Sequence, residues 1–321
     1  MRAAMLSRLI PDKFILLLLA TIAVAACFPV SGDGARVATH VSNAAIFSLF
    51  FFHGLRIAPA AVWDGLKHWK LQLAVLASTF ALLPLIGVSL NSLAPDMLTP
   101  ELWLGVLFLC ALPSTVQAAI SSASMAKGNV AASVVASTIS NLSGVILTPL
   151  IFAAMAHIGG ESGDISAIGR IATMLLLPFA LGQIARRWLA DWSARHKAWI
   201  GRLDRLTILI AVYVAFSAAT IEGMWGRLDG GEFMRLTLVI LVMLALSFGS
   251  TYALGKLLGL SREDRITLFY SGAHKSLATG APMARILFPA ATAGMIVIPL
   301  MLYHQLQLMI SAWIAARWAR R

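Results

Sequence analysis

Lys275 is the residue of this chain whose setting most needs a chemical explanation. It lies ten residues after Arg265 in the segment Arg265–Pro289, RITLFYSGAHKSLATGAPMARILFP, which is long and apolar enough to cross a bilayer. A hydrocarbon core is about 30 Å thick and a helix rises about 1.5 Å per residue, so an ammonium there lies near the midplane. Insertion scales set its cost at about 2.5–3.5 kcal/mol, and such groups face a cavity or a partner. Around it Ser271, Gly272, Ser276, Thr279, Gly280 and Pro282 weaken a helix or compete for its backbone hydrogen bonds. A helix opened at this point frees N–H and C=O groups that can bind a solute or an ion.

The same chemistry occurs half a chain earlier. Pro113-Ser114-Thr115-Val116-Gln117 interrupts the apolar run 101–126, ahead of a short helix Ala118–Ala126 and the turn Lys127-Gly128-Asn129. Pro113 and Ser271 are 158 positions apart in a chain of 321. If the chain is a five-plus-five repeat, spans four and nine are equivalent, and because five is odd the second copy is inverted in the membrane. Paired interruptions in inverted halves point to a transport site. Prolines also kink packed helices with no such role; the register of the two breaks and the polar residues at both favour binding. The candidate contacts for substrate or ion are Pro113, Ser114, Thr115, Gln117, Ser271, His274, Lys275, Ser276 and Thr279. Asn141, with Ser140 and Ser143, follows Ser137 at helical spacing and either joins that face or marks close packing. His304, with Tyr303, Gln305 and Gln307, lies midway along the last span and either lines a cavity or bonds neighbouring helices.

The elements that must position these residues are membrane helices. The chain is 59% hydrophobic and 12% charged, with a mean hydropathy of +0.83, where a soluble domain carries about a quarter charged residues. Ten spans are expected, at 13–31, 37–55, 71–93, 101–126, 129–156, 166–187, 204–221, 234–256, 265–289 and 292–316: an all-α polytopic protein whose two inverted five-helix repeats cover 1–160 and 161–321. The net charge of +11 sits in short loops rather than along one face, so no nucleic-acid partner is implied. Nineteen of the 25 Lys and Arg residues fall on one side, and five (Arg36, Arg170, Arg227, Arg235, Arg285) on the other, leaving Lys275 between. By the positive-inside rule both termini are cytoplasmic, and the chain is a multi-pass protein of the inner membrane. Tryptophans near span ends (Trp63, Trp69, Trp188, Trp192, Trp313, Trp318) fit the lipid interface. Val24-Ala25-Ala26-Cys27 has the form of a lipoprotein cleavage site, but the run Phe14–Val30 is long for a signal peptide. All fourteen carboxylates fall in loops or at span ends. Cys27 and Cys110 sit in apolar runs, offering no disulfide framework, and no nucleotide loop, zinc spacing or nucleophile elbow supports an enzyme. Gly54 and Gly87 are too scattered for a helix-dimer motif, so no oligomeric state is implied.

Several of these stretches resemble the bile acid:sodium symporter family. The run Ala126-Lys127-Gly128-Asn129-Val130-Ala131-Ala132-Ser133-Val134, continuing to Leu147-Thr148-Pro149, is similar to the corresponding span of that family. Pro113-Ser114-Thr115-Val116 and His274-Lys275-Ser276-Leu277-Ala278-Thr279-Gly280-Ala281-Pro282-Met283 resemble its SBF-like symporter branch, as do Phe52–Leu55 and Phe80–Leu85. The resemblance implies a fold shared with cation/proton antiporters, with spans four and nine crossing at their unwound centres. It also implies a core (spans 3–5 and 8–10) and a panel (spans 1–2 and 6–7). Carried over residue by residue, the family's sodium site falls on Ser133 and Ser137, with Thr79 in the third span. The family's Ser-Asn pair in span four falls near Ala119-Ile120, or on Ser121-Ser122 with one residue inserted. The family's coordinating glutamate in span nine has no counterpart in Ser271–Lys275.

The reading that follows is a secondary transporter of a small organic anion, working by alternating access, with no cofactor beyond Na+ or H+ as coupling ion. A sodium-coupled symporter of the parent kind and a non-transporting membrane regulator that keeps the fold are the alternatives. With no interior carboxylate, sodium coupling is expected to be weak. Lys275 is expected either to be neutral until an anion binds or to serve as a fixed counter-charge; alternatively it bonds free carbonyls of span four in place of a structural ion. Reporter fusions at the C-terminus test the topology: a reporter active only in the cytoplasm is expected, and one active only outside would contradict ten spans.

Overall fold

The computed structural model describes residues 13–56, 68–158, 172–223, 226 and 229–320, and every regular element among them is helical. In order these are α1 (Lys13–Cys27), α2 (Gly32–Arg56), α3 (Trp69–Leu93), α4 (Pro100–Ala111), α5 (Gln117–Met125), α6 (Val130–Ile158), α7 (Leu177–Arg195), α8 (Lys197–Ile221), α9 (Gly230–Leu257), α10 (Arg262–Ala273), α11 (Leu277–Leu287) and α12 (Ala290–Trp318). Six of them, α2, α3, α6, α8, α9 and α12, are long and apolar enough to cross a membrane. The protein is an integral membrane protein.

Proline chemistry sets several of these boundaries. Two helices carry a π-helical turn, Ser78–Leu82 within α3 and Ala172–Leu176 ahead of α7, and each is followed by Leu-Pro: Leu83-Pro84 and Leu177-Pro178. A proline has no N–H to donate and its ring crowds the preceding turn, which a wider turn relieves. At Pro113 the outcome is a stop: Leu112, the residue before it, is extended at φ −69, ψ 153, and α4 ends. Pro282 lies inside α11, and the break is at His274–Ser276, within the Ser271–Ser276 stretch expected to interrupt the span.

The seventh span begins sooner than its apolar run, at Lys197. Asp204 therefore lies inside α8 rather than at its end, and pairs with Arg56 Nη1 at 2.8 Å. The second span likewise starts at Gly32. Residues 166–171 of the sixth span lie outside the described residues, as do Arg2, Arg8, Lys67, Arg170, Arg227 and Arg321 of the charge tally and Trp63 among the interface tryptophans.

The chain divides into two compact units. One comprises Met1–Arg56, Thr173–Leu228 and Ala281–Met295. In it α2 lies against α7 at backbone distance, because the crossing residues are Gly54 and Gly182: a Cβ on Gly182 would stand 2.0 Å from Phe51 O, and one on Gly54 2.2 Å from Phe179 O. Gln183 Nε2 donates to Gly54 O at 2.8 Å, and Tyr213 of α8 donates to Phe28 O at 2.9 Å. Such small-residue crossings are how membrane helices gain contact when burial from water does not drive them together. Gly54 thus serves an intrachain crossing, a role invisible from its spacing to Gly87.

The other unit comprises Ile57–Ala172, Asp229–Gly280 and Ile296–Arg321 and contains both helix breaks. Its α10 starts at an N-cap, Ser261, whose hydroxyl accepts from Asp264 N at 3.1 Å. The turn between α5 and α6 is tied to the same end: Asn129 Nδ2 donates to Asp264 Oδ1 at 2.9 Å, and Thr267 Oγ1 to Asn129 O at 2.9 Å. Lys127 there adopts φ 62. Gly128 has no room for a side chain, since a Cβ would meet Ile266 at 2.7 Å.

Replacing Gly182 by Ala is expected to cost at least the 1–3 kcal/mol of an overpacked site, read as a lower thermal midpoint in detergent. Gly249→Ala, at a helical glycine with nothing within 4 Å of an added Cβ, is expected to be neutral or stabilising by up to about 1 kcal/mol.

Candidate functional site

Two broken helices leave a run of backbone groups without helical partners, and the site is the set of donors that answers them. Along the first break the sequence of acceptors is continuous. Leu109 O takes Leu112 N at 3.2 Å, Cys110 O takes Lys275 Nζ at 2.6 Å, and Ala111 O takes Thr148 Oγ1 at 2.8 Å. Leu112 O takes Lys275 Nζ at 2.7 Å, Pro113 O takes Ser276 N at 3.0 Å, and Ser114 O takes Asn141 Nδ2 at 2.8 Å. Ser114 N, which a continuous helix would direct at Cys110 O, donates instead to Ser140 Oγ at 3.0 Å. Thr115 Oγ1 then caps α5 by accepting from Ala119 N at 3.1 Å.

The second break is answered from α12. Gln307 grips the backbone of Lys275 at both ends of its amide: Oε1 accepts from Lys275 N and Nε2 donates to Lys275 O, each at 2.9 Å. The same Nε2 lies 2.9 Å from His304 Nδ1, which also stands 3.3 Å from Lys275 O. Tyr303 OH donates to Ala273 O at 2.8 Å, and His274 Nε2 meets Ser311 Oγ at 2.7 Å. Ser276 Oγ accepts from Thr279 N at 3.2 Å, capping α11, and Thr279 Oγ1 donates to Asn141 Oδ1 at 3.1 Å. Asn141 and Ser276 thus join the two breaks directly.

Lys275 is fully buried, at 0% exposure. Its third bond, 2.8 Å to Thr79 O, follows from Pro84. In the π turn Leu83 N donates to Ser78 O. Thr79 O thereby loses its α-helical donor, and its next donor would be residue 84, a proline with no N–H. Three carbonyl oxygens at 2.6–2.8 Å match the three hydrogens of an ammonium. Among the described residues no carboxylate pairs with it. Two of these acceptors, Cys110 O and Leu112 O, are carbonyls freed in span four, and the third is Thr79 O in span three.

Close packing holds the arrangement. A Cβ on Gly144 would meet Pro113 at 2.7 Å, and one on Gly280 would meet Leu112 at 2.4 Å and Leu300 at 2.6 Å. Ser133 Oγ lies 3.1 Å from Ser271 Oγ, while Ser137 Oγ and Thr79 Oγ1 are buried and have no hydrogen-bond partner. Gln117 and Ser121 are exposed and Ser122 is buried; the structure does not join them to the hydrogen-bonded network. Sequence reasoning left Gln307 and Tyr303 open and missed Ser311 and Pro84. The signal for the first group was a helical stripe, 303, 304, 307 and 311, along one face of α12.

A polytopic helical membrane protein with two interrupted helices bonded to each other around a buried cation has the makings of a transporter. The chain belongs to the SBF-like CPA transporter family, whose sequence model matches residues 12–320. It is 46% identical over 315 residues to a Pseudomonas aeruginosa protein, PA2026, covering 98% of this chain and 95% of that one. It is 41% identical over 310 residues to the Escherichia coli protein named "Putative symporter YfeH", covering 97% and 93%. Sodium/bile acid cotransporter 7 of Xenopus tropicalis is 26% identical over 317 residues, covering 96% and 92%.

Gln307→Leu would leave Lys275 N–H buried without a partner, at about 1–3 kcal/mol, and would take from Lys275 O its shorter contact, leaving His304 Nδ1 at 3.3 Å. A clear fall in thermal midpoint is expected. Gln305→Leu, whose Oε1 has no partner to lose, is expected to change it little.

Proposed function

We propose that the protein is a secondary transporter of a small organic anion that works by alternating access without obligatory sodium coupling. The observation that carries this reading is the direct bonding of the two broken helices around one buried ammonium. Interrupted helices in equivalent places of two inverted five-helix repeats, 1–160 and 161–321, are the arrangement in which transporters build central sites. In this reading spans 3–5 and 8–10 form a core and spans 1–2 and 6–7 a panel, although Ala281–Met295, the end of span nine and the start of span ten, falls in the unit that holds spans 1–2 and 7. With both termini cytoplasmic and the chain in the inner membrane, the basic loops face the side the positive-inside rule requires.

An anion is favoured by charge rather than by a bond to Nζ. The ammonium has no carboxylate partner among the described residues, so the crossing keeps a net positive charge. The N-termini of α5 and α11, which begin at the two breaks, add the positive ends of their helix dipoles. Hydroxyl and amide groups of Ser114, Thr115, Asn141, Ser276 and Thr279 supply polar contacts, with Gln117, Ser121 and Ser122 along α5.

A sodium-coupled symporter is the second reading. It is favoured by the buried hydroxyls of Thr79 and Ser137, which have no partner, and by the Ser133–Ser271 pair, since hydroxyl oxygens suit a hard cation. Uptake of a panel of radiolabelled organic anions into proteoliposomes separates the two. Saturable uptake at equal initial rates in sodium and in choline, unchanged by Ser133→Ala, is expected. Uptake that requires a sodium gradient and is abolished by Ser133→Ala would establish the second reading instead.

A further inference from the structure

We propose that Lys275 is a tethered cation: its ammonium fills a three-carbonyl monovalent-cation site, and a chain lacking the side chain takes up a free ammonium-type ion in its place. The ligands are Thr79 O, Cys110 O and Leu112 O, at 2.8, 2.6 and 2.7 Å from Nζ. They come from three different causes, which is why they form a site rather than a chance contact. Thr79 O is freed by the π turn before Pro84; Cys110 O is freed because Ser114 N turns to Ser140; Leu112 O is freed because Pro113 ends α4. Two of the three lie at the C-terminal end of α4, the negative end of its dipole. Oxygen dipoles converging from a broken helix are what membrane proteins use to hold a monovalent ion without its water.

The rest of the structure acts to aim the side chain into that cage. Gln307 holds the Lys275 backbone at both N–H and C=O, and Ser276 N is fixed on Pro113 O. The position of Nζ is therefore set from behind, independently of the carbonyls it reaches. Removing the side chain leaves three buried carbonyls converging on a cavity of its shape. An ion with three N–H donors restores each bond, and propylammonium reproduces every atom that Lys275→Ala deletes. The three-carbonyl cage is the same whatever solute the protein carries.

Thermal unfolding of the full chain in detergent tests it, at constant ionic strength, with tetramethylammonium, potassium, ammonium or propylammonium chloride. Lys275→Ala is expected to unfold lower than wild type in tetramethylammonium, which has no N–H, and to recover saturably by at least about 3 °C in ammonium and propylammonium. Wild type and Lys275→Met, whose apolar stem occupies the space, are expected to be indifferent to the choice of cation. A Lys275→Ala midpoint that is the same in all four salts overturns the proposal. So does an equal shift in wild type. If Lys275→Ala is recovered from membranes only when propylammonium is present throughout extraction, the result is the expected one in stronger form. If it is not recovered even then, while Lys275→Met is, the proposal fails. No uptake is measured, so failure here leaves the transport reading standing.

Discussion

Every backbone group freed inside a bilayer needs a partner from the protein, because no water is there to provide one. The fold of this chain around its two breaks is the consequence. From Leu109 to Ser114 each carbonyl in turn has a named donor, drawn from α4 itself, from Thr148 and Asn141 of α6, and from Lys275 and Ser276 of the second break. Removing any one donor leaves a buried dipole unanswered, so the breaks are mutually dependent. The ammonium is the strongest link, since one group answers three carbonyls with charge-assisted bonds.

Much of this was legible in the sequence. Both interruptions could be located from their prolines, glycines and hydroxyls, and the depth of Lys275 from its distance to Arg265. What could not be read was where its hydrogens go. Thr79 O is a backbone atom 196 positions away, and it is free only because a π turn and a proline five residues on combine to remove both of its usual donors. Neither fact is a property of a residue type at a spacing. Gln307 was open for a related reason: a polar stripe on an apolar helix states that a partner exists without saying whether it is a solute or another helix. Here it is the backbone of Lys275. Asp204 was misplaced because the apolar run marks the buried part of α8, whereas the helix extends beyond it toward Lys197 and carries the carboxylate to Arg56.

The resemblance to sodium symporters and the departure from them occupy adjacent places. Thr79 contributes its carbonyl to the ammonium and leaves its own hydroxyl buried without a partner, so the residue matched to a sodium position also forms part of the lysine's cage. A carboxylate in span nine would bring a negative charge that draws a diffusible cation to the crossing. A lysine in the same break brings the cation itself. The two solutions answer the same carbonyl dipoles, and they exclude each other at short range because two cations in one cage repel with little screening.

The difference has an energetic consequence for transport. A diffusible ion that must enter and leave with the solute ties the transport cycle to that ion's gradient. An ammonium bound to the chain by its own side chain stays with the protein at every step and contributes nothing from a gradient. If an anion then crosses with no co-ion, the membrane potential acts on the anion's charge alone, at about 2.3 kcal/mol per charge per 100 mV. Inside-negative, that potential opposes entry and favours exit, by nearly two orders of magnitude in the equilibrium ratio at about 100 mV. A tethered cation with no other coupling therefore suits the outward movement of an anion. Inward movement would require a second, mobile ion.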